Sequence, residues 1–487
     1  MSQHLKVLAK NSLINSLGSL TVKVIGFITI PIFTRLLTTS EYGTWGLLQS
    51  IQFFAFTILS LGLTNALSRL YYDNCSEQDK LALTASVFWF IVLVGGLLGI
   101  FFCAIAGVLN DVLFHGRESN FLIIMLILSI VCMLIIQTSL AFLQIKIQPL
   151  AFSTSQVINV LFYYIGAVFL VKAGYSISGI LIAAIVASGI TMIIILYFII
   201  NDIKIIFYEF GKVKMLLKQG VPLMFIALVS WAMELSDRLF LNHYRPITEL
   251  GLYSFVYQIV TAINFINIVF IQTVPIYLFK VREADKLHGE FLQTQSLRYY
   301  VLVSLYIALI LSLFAREIVG ILAPQAYHDA YKCIPILAFA YFFLGCFYIL
   351  HVGIANAKKY HCLLYIFLIA GVSNVILNFL LIPPLGAIGA ALATVASYFI
   401  LMVIGNIVSQ KIYYLNWNFR EPAGFALLVI VLAALSNLYL GSRDFGVTTI
   451  KVALVAGCGM VFWRWGLLQP EKTFIREWLG GVKIAEN

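Results

Sequence analysis

Charge is scarce in this sequence. Only 11% of the 487 residues are Asp, Glu, Lys or Arg and 62% are hydrophobic, with a mean hydropathy of +0.98. A water-soluble domain needs far more charge to cover its surface, so that class is excluded. No polar stretch is long enough to form a soluble domain between the apolar runs, and the two-residue alternation of an outer-membrane barrel is absent. The seven cysteines lack metal-ligand or disulfide spacing. Six of them (Cys103, Cys132, Cys333, Cys346, Cys362, Cys458) fall in apolar runs and Cys75 in a loop, so they read as small hydrophobes. There is no glycine-rich phosphate loop, metal cluster or nucleophile triad. An enzyme with covalent catalysis, a metal site and an energy supply from ATP on this chain are therefore not expected. The N-terminus, MSQHLKVLAKNSLINSLGSL, lacks the short apolar core and small-residue cleavage site of a signal peptide and reads as the start of an uncleaved first span.

What remains is a series of long apolar runs with short polar breaks. About 20 apolar residues cross a bilayer core of roughly 30 Å. On that measure the chain is an all-α polytopic membrane protein with about fourteen spans between residues 12 and 467, among them 12–34, 43–67, 82–109, 219–241, 250–278, 422–440 and 447–467. The formal net charge of +10 suggests nucleic acid, but most Lys and Arg lie in the connections, where they set orientation. With a cytoplasmic N-terminus, twenty fall on inside segments, seven outside and four within spans. Both termini are then cytoplasmic, no nucleic acid is expected as a partner, and the chain is expected to work as a monomer. Two inside connections, 201–220 and 280–298, read either as short interfacial helices whose basic residues meet anionic headgroups or as solvated connectors.

A weak internal repeat has the period of half the chain. SEYGTWGLLQSI (40–51) aligns with TELGLYSFVYQI (248–259) without a gap, and the segment from Asn159 resembles that from Asn374 with a shorter connection in the second. Each half holds six spans and both begin inside, which is a parallel repeat about an axis along the membrane normal. The expected organisation is an N-lobe at 1–210, a C-lobe at 211–412, and a C-terminal helix pair and tail at 413–487.

Polar residues gather at particular places inside the apolar runs. Span 1 carries Ser12, Ser16, Ser19, Lys23 and Gly26 on one helical face, with Lys23 too deep to reach either surface. Span 2 adds Gln49 and Gln52, and span 8 a stripe of Tyr257, Thr261, Asn264 and Asn267. Such stripes either bind helices together or line a cavity; their placement on the first two helices of each half favours a cavity. In span 7, ELSDRLFL (234–241) places Glu234, Asp237 and Arg238 on roughly one face. One such charge in a lipid-facing helix costs about 3 kcal/mol. These residues read either as a structural charge pair or as a site in which Lys23 and Arg238 face an anion while Asp237 or Glu234 orients the arginine or exchanges H+ or Na+. Arg35, Arg69 and Arg298 near span ends add to a positive balance that suits a phosphate or diphosphate.

FTRLLTTSEYGTWGLLQSI (33–51), SLGLTNALSRLYYDN (60–74), the ELSDRLFL to ELGLYSFVYQI block (234–259) and PPLGAIGAALAT (383–394) together resemble polysaccharide-export flippases. These belong to a superfamily that also holds multidrug and toxin extrusion pumps and the lipid II flippase. The resemblance implies a multi-pass protein of a bacterial inner membrane that moves a polyprenyl-diphosphate-linked oligosaccharide from the cytoplasmic to the outer leaflet, alongside a polysaccharide polymerase and chain-length machinery. In that resemblance Arg35 with Glu41-Tyr42-Gly43 matches the motif at the end of the first span, and Asp237-Arg238 the acid–arginine pair of the seventh. A cation-coupled drug exporter of the same fold would place an acid in span 1, where this chain has Lys23. A lipid II flippase is a further alternative on the same fold. A membrane-embedded glycan polymerase would need long outer loops, and these are short.

Overall fold

The computed structural model describes residues 3–73, 76–114, 116, 118–284, 286–357, 359, 361–417, 420–439, 445–461 and 463–464. Side chains at 268–288, among others, lie outside this description, as does Cys75. The described residues form helices and connections without a strand. In chain order the helices are α1 (Gln3–Leu36), α2 (Thr39–Leu59), α3 (Leu63–Asp73), α4 (Glu77–Ala104), α5 (Ala106–Phe114), α6 (Asn120–Ile145), α7 (Pro149–Leu170), α8 (Ser176–Ile199), α9 (Phe210–Leu235) and α10 (Asp237–Tyr244). They continue with α11 (Ile247–Ala284), α12 (Lys286–Leu313), α13 (Ala315–Leu322), α14 (Ile334–Leu350), α15 (Val352–Asn356), α16 (His361–Leu385), α17 (Ala387–Ile412), α18 (Arg420–Tyr439) and α19 (Phe445–Val461).

Among the described residues nine helical segments are long and apolar enough to cross a membrane, or ten if α2 and α3 count as one broken span. One of the nine, Pro149–Ile199, is itself two helices. The chain is a multi-pass membrane protein. The number fourteen stays an expectation of the sequence.

Three of the runs named above are broken, two of them at a visible local feature. The run 43–67 bends by 45° between α2 and α3, where Leu61 and Gly62 both have positive φ, 48° and 64°. Gly62 lies so close to α9 that a Cβ there would stand 2.2 Å from the Gly220 carbonyl oxygen. The run 82–109 becomes α4 and the short α5. The run 219–241 ends at Leu235 and restarts as α10 after Ser236, whose hydroxyl donates to the Ala232 carbonyl at 2.5 Å, a back-bond that bends helices. Nor is there a separate interfacial helix at 201–220. Apart from a 3₁₀ turn at Ile205–Phe207, the segment runs straight into α9, with Val213 and Leu216 buried and Lys212 paired to Asp79 of α4. Likewise the described residues of 280–298 belong to α11, which reaches Ala284, and α12, which starts at Lys286.

Packing divides the chain into two units, Met1–Ser254 and Phe255–Asn487. The first unit carries α9 and α10 together with α1–α8, so packing and the sequence repeat draw their boundaries at different places. Its core joins α3, α4, α6 and α8 through Leu67, Leu83, Leu134, Leu143 and Ile195. In the second unit α12, α14, α18 and α19 share a core that includes Leu305, Leu309, Phe425, Val429 and Cys458.

The repeat is visible in both units. The hairpins α7–α8 and α16–α17 are among the most extensively packed helix pairs. They reverse at positive-φ glycines, Gly174 and Gly386, a conformation open to glycine for want of a Cβ. Asn159 Nδ2 donates to Thr191 Oγ1 at 3.3 Å across the first hairpin, and Asn374 Nδ2 to Ser397 Oγ at 3.0 Å across the second. The aligned asparagines thus tie the same helix pair.

Candidate functional site

The break at Ser236 decides what ELSDRLFL does. Because α9 ends and α10 begins there, Asp237 opens a new helix, and Leu239 N–H bonds the Ser236 carbonyl in a tight turn of 2.9 Å. Asp237 and Arg238 are 1% and 3% exposed, which is rare for charged side chains without partners. Asp237 accepts a hydrogen bond from the Tyr253 hydroxyl on α11 and interacts electrostatically with Arg238. The arginine side chain lies against α2 at Gly46: a Cβ there would stand 3.9 Å from Arg238 Nε and 2.1 Å from Ser254 Oγ. Glycine at this position leaves room for the Ser254 side chain of α11 against α2, with the guanidinium beside it at ordinary contact distance.

Glu234, half-buried in the last turn of α9, interacts electrostatically with Arg238, Asp237 and Lys23. Lys23, half-buried on α1, has Glu234 as its electrostatic partner. The fold therefore joins two charged positions that are 211 residues apart in the chain. Lys23, Glu234, Asp237 and Arg238 form one cluster in the first unit, with two formal charges of each sign. The site is thus charge-balanced rather than simply positive, and each cation already has a carboxylate nearby.

The neighbouring glutamate has a different part. Glu41 completes a capping box with Thr38 at the start of α2 and accepts a hydrogen bond from Ser176 at the α7–α8 reversal. Two residues on, a Cβ on Gly43 would lie 2.2 Å from the Ile247 carbonyl oxygen and 3.0 Å from Gly251 N. Gly43 and Gly251 occupy aligned positions of the repeat, and the two helix starts meet at these residues.

The remaining positions are dispersed. Arg35 is exposed and donates back to the Pro31 carbonyl at 2.8 Å. Arg69 is exposed on α3, and Arg298 is half-buried on α12 in the second unit. Gln49 is half-buried on α2, while Gln52 Nε2 donates to Ser129 Oγ of α6 at 2.7 Å. On α11 Tyr257 is buried with its ring 5.8 Å from that of Tyr341. Thr261 Oγ1 donates to the Gln258 carbonyl at 2.6 Å, and Asn264 is half-buried. Asn267 ties helices: it donates to the Tyr341 carbonyl and accepts from the Tyr300 hydroxyl at 2.7 Å. Gln52 and Asn267 thus serve as helix fasteners. Ser12 lies outside the described side chains.

Sequence reading missed Tyr253, Gly46, Ser50 and Trp231. The Trp231 indole donates to the Ser50 carbonyl at 3.0 Å and Ser50 Oγ donates to the Leu235 carbonyl at 2.7 Å, so α2 is fastened to α9 just below the charge cluster. Tyr253 and Gly46 sit in the two aligned repeat segments, the one signal that points to them. Among the described residues no cluster of His, Cys, Asp and Glu could hold a metal ion.

The sequence profile of the family described as polysaccharide biosynthesis protein matches residues 8–278, more than half of the chain and all four members of the cluster. No curated protein matches the sequence. Among solved structures, the lipid II flippase MurJ in an inward closed conformation is similar with a TM-score of 0.73 and 16% identity, over 96% of this chain and 100% of that one. An inward-facing multidrug resistance MATE family transporter of the MOP superfamily gives 0.68 and 13%, over 80% and 94%. A MOP superfamily transporter from Pyrococcus furiosus, described as having reverse polarity of its binding pocket, gives 0.54 and 10%, over 83% and 95%. At such identities the likeness is one of fold.

Proposed function

We propose that this chain, which belongs to the polysaccharide biosynthesis protein family, is a flippase. Its substrate is a polyprenyl-diphosphate-linked oligosaccharide, moved from the cytoplasmic to the outer leaflet of a bacterial inner membrane by alternating access. The observation that carries this reading is the cluster of half-buried Lys23 and Glu234 with buried Asp237 and Arg238, set in a fold shared with a lipid II flippase and with MATE transporters. A diphosphate matches the two cations in charge and accepts bidentate hydrogen bonds from a guanidinium.

Since each cation has a carboxylate beside it, the diphosphate competes with Glu234 for Lys23 and with Asp237 for Arg238. Release follows when the carboxylates return. Uptake of H+ or Na+ at Glu234 weakens its hold on Lys23 and favours loading, which couples the cycle to an ion gradient. Both termini face the cytoplasm, the chain works as a monomer, and a polymerase with chain-length machinery consumes the flipped unit.

Deleting the gene in its host and assigning the leaflet of extracted lipid-linked glycans tests the function. A complete repeat unit held in the cytoplasmic leaflet, with surface polysaccharide lost, is the expected result. Re-expression of Lys23→Ala or Arg238→Ala should restore little export, and Glu234→Gln should alter its dependence on the ion gradient. Normal glycans together with new sensitivity to cationic dyes would instead identify a drug exporter of the same fold.

A further inference from the structure

Beside the charge cluster, within the first unit, is an apolar cavity of about 320 Å³. Its walls are sixteen residues of α2, α4, α5, α6, α9 and α10, none of which carries a charged group or a hydroxyl. Ile51, Phe54, Ala55 and Ile58 recur at helical spacing along one face of α2, opposite Ile130 and Val131 of α6. The Trp231 ring, 4.5 Å from that of Phe54, closes the α9 side. Trp231 bears one polar atom, its indole N–H, which is bound to the Ser50 carbonyl, so no polar group is left for water. An apolar cavity of this kind stays dry. Left empty it forfeits the dispersion contacts of its whole lining. Hydrocarbon restores them, and Phe54, at 39% exposure, shows that the wall reaches the outside of the helix packing.

Position selects which hydrocarbon. Trp231 lies three residues before Glu234, and Leu239 directly follows Arg238. The arginine rests on α2 at Gly46, five residues or about 7–8 Å along the helix from Ile51. The cavity and the cluster thus share α2, α9 and α10, which puts the cluster within reach of the head group of a chain held in the cavity. A diphosphate there finds Lys23 and Arg238 and raises the effective concentration of its own tail at the cavity, an advantage that a bulk phospholipid with a single phosphate has to a lesser degree.

We propose that this cavity is a binding site for the first isoprene units of the carrier lipid, seated while its diphosphate occupies the Lys23–Arg238 cluster. The inference rests on the flippase reading for its choice of lipid. The site gives the protein a way to measure the carrier independently of the sugar, since the tail and the diphosphate are common to every glycan unit.

The test is photolabelling of the purified full-length protein in phosphatidylglycerol vesicles. One probe is a prenyl diphosphate with a benzophenone at a ring-sized distance from the head, and the other is a phosphatidylglycerol with a diazirine on its acyl chain. The prenyl probe should label peptides of α2, α6 and α9 that contain Phe54, Ile130 or Trp231. Cavity-filling Ala55→Phe and Val131→Phe should each lower that labelling severalfold. Leu97→Phe, on the 67% exposed face of α4 outside the cavity, should leave it unchanged and controls for added bulk. Monodisperse elution of the filled variants shows that they are folded; if one fails this, the wild-type labelling map decides. Labelling by the acyl probe alone, or by neither probe, overturns the proposal. Flipping of a prenyl-linked glycan is measured in the same vesicles. Flipping without cavity labelling defeats the cavity inference alone, and labelling without flipping defeats the functional reading alone.

Discussion

Arg238 is held between an acid on either side of the helix break and packs against α2 at Gly46. This arrangement predicts a graded response. Asp237→Asn leaves a buried guanidinium short of a counter-charge, a change that costs about 3 kcal/mol where a second acid remains close. Tyr253→Phe removes a single hydrogen bond to a charged group, about 1.5–3 kcal/mol. Because both act on one carboxylate, the double variant should lose less than the sum. Thermal unfolding in detergent measures all three; additive losses would mean that Tyr253 and Asp237 act independently. Asp237 and Arg238 stand out in the sequence because a charge in an apolar run costs free energy and needs a reason. Tyr253 and Gly46 do not, since tyrosine and glycine are ordinary residues of membrane helices, and their importance comes from what crosses them.

Elements in this protein are shaped by where they must touch. The α2 and α11 starts meet backbone to backbone at Gly43 and Gly251, and α3 meets α9 in the same way at Gly62 and Gly220. Such close crossings let dispersion and Cα–H contacts act between helices where lipid provides no hydrophobic drive. In Gly43→Val the new atoms face the Ile247 carbonyl and the Gly251 amide, both backbone, so no rotamer relieves the clash. A large fall in the yield of monodisperse protein is expected, whereas Gly96→Ala, with nothing within 4 Å of its Cβ position, should be neutral or mildly stabilising. Size-exclusion profiles of the two variants compare them, and equal behaviour would show that the α2–α11 contact carries no weight. Helix existence is legible in hydropathy because twenty apolar residues leave a membrane chain few other conformations. Breaks such as Ser60–Gly62 and Ser236 are not, because the drop in hydropathy into α3 and α10 does not say whether a helix continues, bends or restarts there.

At the scale of the molecule, the C-terminal helices belong to the second unit's core rather than standing apart from it. Phe425, Val429 and Cys458 pack with Leu305 and Leu309, and Lys451, 1% exposed, donates to Glu317 Oε1 at 2.6 Å. A chain ending at Ile412 should therefore lose most of its folded yield. Glu317→Gln in the full chain, which strands the lysine charge, should destabilise by about 3–5 kcal/mol. Native stability of the truncated protein within a few degrees of the full chain would show that α18 and α19 are dispensable to the fold. From the sequence alone come the membrane class, the helical architecture, the half-length repeat and the oddity of charges within span 7, because each is a matter of composition or spacing that lipid physics constrains strongly. The tertiary structure alone decided that Lys23 and Glu234 are neighbours, that the charge cluster is balanced, and that an apolar cavity lies beside it. Those depend on which helix faces meet, and hydropathy, being averaged around each helix, carries no record of facing.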